Sequence, residues 1–410
     1  MALKRIIIDT QSNALFRGSA LQQNYDQRGG LCQVGAGHAV VTTHAVDADY
    51  LRYWQSIGFS LPRLIAAGPF SSHHTLSELI LNNPRVQDEI RDFIGPDAAR
   101  LEFFYIEKSE QLLSGVLGVP AYCNFELSLR LSRKLNFKAL CRQLALPTAA
   151  WEHDEDVDRM LATCEKWLNA GTSLLIKSND GTGGIPCGSM FKVGNVSELP
   201  EAARRIRSPD NVFFLEAFID SPATVASMHW EIDDNRNILP VGLFEHVTQD
   251  DAQIGITHPL DVDPAAQAEL WSLLQTRLGP YLIRENGRGF FQCDIIIDRG
   301  GNAFWIDFNP RKGGGLYVGD MVRRLSKNCL NAVDCCFVNE HVKISRNRRG
   351  PTFKNLFSTL KDLLDPGTHP FVVVTNPGVL PFGRIDLTGI SAQSRQAARG
   401  VLEKAKARLT

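Results

Sequence analysis

Three oxygen-bearing side chains near residue 300 have the spacing of a small metal site. Phe290–Asp298 and Asn302–Arg311 each read as a strand of bulky and β-branched residues, and Arg299-Gly300-Gly301 between them reads as a hairpin turn. Side chains alternate across a strand, so Asp307 and Asn309 share a face and Asp294 can meet them from the neighbouring strand. Carboxylate and amide oxygens are the hard donors that Mg²⁺ prefers, and Mg²⁺ takes only a few of them when substrate phosphates supply the rest. Asp294, Asp307 and Asn309 are therefore candidate ligands for Mg²⁺ on ATP, with Mn²⁺ an alternative ion. A second stretch suits phosphate: the apolar Ser173–Lys177 runs straight into Asp180-Gly181-Thr182-Gly183-Gly184. Glycine lets backbone N–H groups approach phosphate oxygens, and Thr182 can add a hydroxyl beside Gly183 and Gly184.

The order acid, hairpin, acid-x-Asn, then Arg311 resembles the metal-binding end of the ATP-grasp superfamily. The second acid of that motif is more often Glu; the shorter Asp307 would bring a metal closer to the backbone. The resemblance implies further roles. Lys138, in Asn136–Leu140 ahead of Leu144-Ala145-Leu146-Pro147-Thr148, and Lys177 would contact phosphates as point charges. Glu216, in Leu215–Ile219, would accept from the adenine amino group, and backbone near Phe218 would pair with a ring nitrogen. Many such enzymes carry a ribose-binding acid where this chain has Pro222-Ala223-Thr224; Asp220 or a serine would substitute.

Most ATP-grasp enzymes phosphorylate a carboxylate and let an amine attack the acyl phosphate, a reaction served by positioning and charge neutralisation. Arg311, or Arg288 just before the first metal strand, would hold the acyl-phosphate oxygens as the catalytic cation. Leu239–His246, Gly255–Pro259, Asp307–Gly315 and the closing Pro377–Leu380 and Ile385–Ser391 are similar to peptide ligases of the pheganomycin type. That resemblance implies an amide bond between a small carboxylic acid and an amino acid or peptide amine in specialised metabolism. A non-peptide amine acceptor, a small-molecule kinase and a non-catalytic nucleotide-binding module are the competing readings, the last disfavoured because all three metal positions and both lysines are present. Gly313-Gly314-Gly315 would let backbone approach the bound acid.

The elements that must carry these residues can be read along the chain. Residues 4–9 open as a strand, and a helix covers Asp47–Ile57. Apolar residues at helical spacing predict helix over Leu127–Leu146, with Asn136 as a cap for a second start within it, and another helix within Trp151–Ala170. Strands follow at 188–193, 212–219, 224–232 and 238–247, then a helix over Asp263–Leu278 closed by Gly279-Pro280, and a helix over Leu316–Val333 behind the hairpin. Strand, turn, strand and a basic helix complete 370–410. The fold class expected is α/β (α+β), an ATP-grasp fold flanked by two smaller units. The N-terminal pre-ATP-grasp domain takes 1–130 and the ATP-grasp domain 131–345, with a small lobe at 131–210 and a metal-binding lobe at 211–345. A small C-terminal domain takes 346–410.

A net charge of −1 gives no footprint for nucleic acid or a membrane surface, and Arg346–Arg349 stands alone as a basic run. Nine cysteines without a Cys-x-x-Cys read as reduced thiols, not as a disulfide framework or a zinc site. The start, Met1-Ala2-Leu3-Lys4-Arg5-Ile6, has no secretory pattern, and no run has the length of a membrane span. The expectation is a cytoplasmic enzyme with small-molecule acid and amine substrates and a homodimer as a possible assembly.

Overall fold

The computed structural model describes residues 3–9, 26–68, 74–180, 190–206, 212–220, 222–249, 252–329, 334–345 and 352–410. The N-terminal region builds a parallel sheet from β1 (Lys4–Ile8), β2 (Ala39–Thr42), β3 (Arg63–Ala66) and β4 (Ala99–Phe103), in the order β3-β2-β1-β4. Its central strands are buried along β2 and the Ile6–Ile8 end of β1, as a parallel sheet covered on both faces requires. The covering helices have definite ends. Thr75 and Glu78 form a reciprocal capping box, and Asn83 with Pro84 opens Pro84–Ile94, which Gly95 closes at φ +55°.

A second, smaller sheet follows: β5 (Trp151–Glu152), β6 (Leu174–Ser178), β7 (Met190–Val193) and β8 (Phe213–Ala217), antiparallel in the order β5-β8-β6-β7. A division of the chain at residue 210 would cut this sheet. The third sheet has eight strands, β9 (Thr224–Ile232), β10 (Ile238–Gln249), β11 (Ala252–His258), β12 (Gly289–Ile297), β13 (Ala303–Asn309), β14 (Cys336–Lys343), β15 (Phe371–Asn376) and β16 (Arg384–Ser391). They run in the order β13-β12-β9-β10-β11-β14-β16-β15, so the strands after residue 370 are hydrogen-bonded into the sheet that carries the metal hairpin.

Two helices differ from the expectation. The helical stretch Leu127–Leu146 does restart, but at Ser132-Arg133 and not at Asn136: Phe125–Leu131 and Lys134–Gln143 are separated there, where Arg133 is extended. The apolar period survives the break because Leu127, Leu131, Phe137, Leu140 and Cys141 all enter one core. The helix starting after Asp263 does not stop at Gly279-Pro280. It widens into a π turn over Leu274–Leu278 and continues as Gly279–Arg284, so Pro280, which has no N–H to donate, follows directly on the π turn.

Helix Lys134–Gln143 has no side-chain cap of its own. Asn179, just beyond β6, supplies one: its carbonyl accepts from the Lys134 N–H at 3.1 Å and its Oδ1 from the Leu135 N–H at 3.0 Å. On the core side, Phe137 stacks on Phe308 at 5.2 Å, which in turn stacks on Trp230 at 5.8 Å. The helix, the end of β6 and the metal hairpin are thus tied together locally before any ligand is considered.

Candidate functional site

The hairpin register brings the three candidate ligands together. Asp294 lies opposite Asp307 and Gln292 opposite Asn309; after that pair a bulge places Ile295 opposite Trp305. The extra residue, Ile306, re-aims the strand beside the acids, a usual place for a bulge. Asp294 Oδ1 accepts from Gln292 Nε2 at 2.7 Å, and Oδ2 from Asn309 Nδ2 at 3.3 Å. Asn309 Oδ1 accepts from Arg311 Nη2 at 3.0 Å, while Arg311 Nη1 donates to the Lys312 carbonyl at 2.9 Å. Burial lowers the pKa of Arg311 and the Asp294 charge opposes that fall; its guanidinium lies 4.8 Å from the Phe104 ring centre.

Cations converge on Asp307. Lys134 Nζ lies 2.6 Å from Oδ2, and Lys177 Nζ lies 3.9 Å from Oδ1. Burial alone would raise the Asp307 pKa, but Lys134 and Lys177 hold it well below the carboxylate range. Burial likewise opposes a charged Lys177, yet Asp307 and Glu216 raise its pKa above the ordinary lysine value. Lys138 and Lys177 both pair with Glu216, and Lys138 Nζ also donates to the Trp305 carbonyl at 3.3 Å.

These contacts revise several expectations. The Glu216 carboxylate pairs with the Lys138 and Lys177 ammonium groups in the structure. Glu216 faces Leu175 across β6, on the same side as Lys177, and that alternation turns it toward the lysines. The Phe218 N–H donates to the Ser173 carbonyl at 2.9 Å, and Lys192 Nζ sits 3.7 Å from the centre of the Phe218 ring. Arg288 is not part of the cluster. It precedes β12 and donates to the Ala121 carbonyl at 2.7 Å, six residues and about 20 Å along the strand from Asp294. Gly313 and Gly315 pack against protein: a Cβ on Gly313 would meet Gln292 and His229, and one on Gly315 would meet Phe244. Thr182, Gly183 and Gly184 lie outside the described residues.

Lys134, Gln292 and His246 join the site without having been singled out. Gln292 had a readable signal, since it lies two residues before Asp294 and therefore on its face. His246 and Lys134 both come from other elements: His246 ends the Leu239–His246 stretch but had been given no role, and nothing local marked Lys134. The side chains present suit a small hard cation. They offer three oxygen donors on one face, and Asp307 Oδ1 is buried with no hydrogen-bond donor. Three lysines beside them suit a polyphosphate.

No protein-family model matches the chain, and no curated protein sequence does. Solved structures do. N5-carboxyaminoimidazole synthetase from Staphylococcus aureus aligns with a TM-score of 0.57 at 12% identity, covering 100% of this chain and 97% of that one. The Aspergillus clavatus N5-carboxyaminoimidazole synthase, solved with ADP and 5-aminoimidazole ribonucleotide, aligns at 0.59 and 11% identity, covering 98% and 99%. Biotin carboxylase from Campylobacter jejuni in its β-γ-ATP complex aligns at 0.63 and 15% identity, covering 99% and 91%. The chain has the ATP-grasp fold. In this ATP-grasp chain the likeness extends over the whole described length, both flanking regions included. No helix among the described residues is long and apolar enough to cross a membrane.

Proposed function

We propose that this ATP-grasp chain is an ATP-dependent carboxylate–amine ligase. It would join a small carboxylic acid to an amino acid or peptide amine through an acyl phosphate, in specialised metabolism. The observation that carries the reading is the convergence of Asp294, Asp307 and Asn309 with Lys134, Lys177 and Arg311 in one half-buried cluster. Asp294, Asp307 and Asn309 would hold Mg²⁺, which supplies charge neutralisation at the β- and γ-phosphates when bound. Lys134 and Lys177, released from Asp307, would hold phosphate oxygens. Arg311 would present its fork to the oxygens of the acyl phosphate while still orienting Asn309. The cluster holds no paired nucleophile and base, which favours direct transfer to substrate over a covalent enzyme intermediate.

A non-peptide acceptor is the second reading. It is supported by the full-length likeness to N5-carboxyaminoimidazole synthetases and biotin carboxylase, whose names carry no peptide. Acid–amine pairs screened by phosphate release and mass spectrometry separate the two. ADP and phosphate release that needs both an acid and an amine supports ligation; ADP formed with the acid alone, the phosphoryl group staying on the acid, supports a kinase. With the acid's carboxylate labelled by ¹⁸O, the acyl-phosphate route delivers one label to inorganic phosphate. Label in AMP, with pyrophosphate released, overturns it.

A further inference from the structure

A cleft of about 400 Å³ opens between the N-terminal sheet and the large sheet, and none of Asp294, Asp307, Asn309 or Arg311 lines it. One wall is the helix Gly314–Cys329, whose Leu316, Asp320, Arg323, Arg324 and Lys327 fall on a single stripe at helical spacing. The other side carries Arg5 from β1 and Arg100 from β4, which are partners across that parallel pair. Glu231 on β9 and Phe290 on β12, opposite each other in register, also line it.

Most of these charges are already matched. Arg5 and Arg100 share Glu102 at 2.6 and 2.9 Å, and Arg100 also reaches Glu231 and Asp234 at 3.7 and 3.4 Å. Arg323 takes Asp320 at 2.6 Å. Two cations are left over. Arg324 donates only to the carbonyls of Leu31 and Cys32, at 3.0 and 2.9 Å, and lies 4.6 Å from the Phe59 ring centre. Neither Arg324 nor Lys327 has a carboxylate partner among the described residues. They stand three residues apart on one helix face, where like charges repel. Burial lowers the Arg324 pKa, as expected for a half-buried cation short of counter-charge.

We propose that this cleft is a second small-molecule site, separate from the nucleotide cluster, that binds a compact dianion, either a phosphate monoester or a dicarboxylate, on Arg324 and Lys327. Two unmatched positive charges call for two negative ones. The guanidinium fork suits phosphate and carboxylate oxygens alike, and the ammonium adds a point charge beside it. The volume is that of a small-molecule pocket. The inference stands apart from the ligase reading, since no residue of the metal hairpin's acid cluster takes part.

The test is equilibrium dialysis of radiolabelled glycerol 3-phosphate and of radiolabelled succinate against the full chain, with and without saturating Mg²⁺·ADP. The expected result is saturable binding of at least one probe that persists when ADP is present. It should weaken about tenfold in Arg324→Gln and about threefold in Lys327→Gln. The probe that binds identifies the anion as phosphate or dicarboxylate. Lys327 is exposed, so its variant keeps the fold even where loss of the Arg324 bonds to Leu31 and Cys32 loosens the helix they close. Saturable binding of neither probe overturns the proposal, as does binding that ADP displaces or that Lys327→Gln leaves at wild-type strength.

Discussion

Replacing Gly313 by Ala probes how tightly the loop carrying Arg311 is seated on the metal hairpin. The new Cβ would lie 1.9 Å from Gln292 Oε1 and 2.4 Å from His229 Cε1. Against an ordinary carbon–oxygen contact of about 3.3 Å the shortfall is about 1.4 Å. His229 is buried inside the sheet face and has little room to retreat. Either Gln292 moves, giving up its 2.7 Å bond to Asp294 Oδ1, or the loop lifts and takes Arg311 away from Asn309. Overpacking of this kind costs about 1–3 kcal/mol. If about 1.4 kcal/mol of it falls on the Asp294–Asn309 geometry, affinity for Mg²⁺·ATP drops about tenfold. Gly314→Ala is the matched control, because nothing lies within 4 Å of its added Cβ and the residue opens a helix. Calorimetry with Mg²⁺·ATP and urea unfolding should show Gly313→Ala weaker in both respects, with Gly314→Ala at or above wild-type stability. Equal behaviour of the two variants would refute the claim that this loop positions the metal acids.

If Lys177 holds phosphate as proposed, Lys177→Met should weaken ATP binding about tenfold or more, since it removes a buried cation and leaves Glu216 with one partner; calorimetry with ATP checks this. Arg311→Lys should lose at least about tenfold in nucleotide-dependent phosphate release, because a lysine cannot bond Asn309 and the Lys312 carbonyl with one planar fork. Arg288→Ala, made in parallel, should leave that rate unchanged. Burial pushes the His229 pKa down to about 3, below its unfolded value of about 6.5. The unfolded chain therefore binds more protons between those limits, and stability falls as pH drops through them. At pH 4.5 the loss is about 2–3 kcal/mol, and urea unfolding of His229→Gln against wild type at pH 4.5 and 7.5 should show a flatter profile for the variant.

The hairpin was legible because its chemistry is local: period-two alternation over twenty residues places Asp294, Asp307 and Asn309 without knowledge of the rest of the chain. Of the cations at Asp307, Lys177 was legible from its place before the Gly loop, but Lys134 was not, because nothing local ties it to the hairpin. Lys134 is 173 residues from Asp307 in sequence, and Lys312 is 303 from Asp9. Arg288 shows the opposite error, in which closeness in sequence to a metal strand was taken for closeness in space. Along an extended strand six residues are a long way. Glu216 was placed on the right strand, but which group its carboxylate meets depends on the pairing of β8 with β6 and on the helix beyond. Strand order in the large sheet, where β9 sits between β12 and β10, has no local signature at all.

Lys312, the residue after Arg311, bears on how far this protein can be recombined. It is buried against the N-terminal sheet, with its ammonium 3.0 Å from Asp9 Oδ2, 2.9 Å from Gln33 Oε1 and 3.4 Å from Glu102 Oε2. Arg5 and Arg100 close the set on Glu102 at 2.6 and 2.9 Å. A chimaera that exchanged residues 1–130 for an unrelated α/β unit would strand this ammonium without counter-charge, at a cost of several kcal/mol. The N-terminal region is therefore a bespoke cradle for the loop that holds Arg311 and not an interchangeable cassette. A graft would have to carry Asp9, Gln33 and Glu102 in register with Lys312 to keep the reactive end of the hairpin in place.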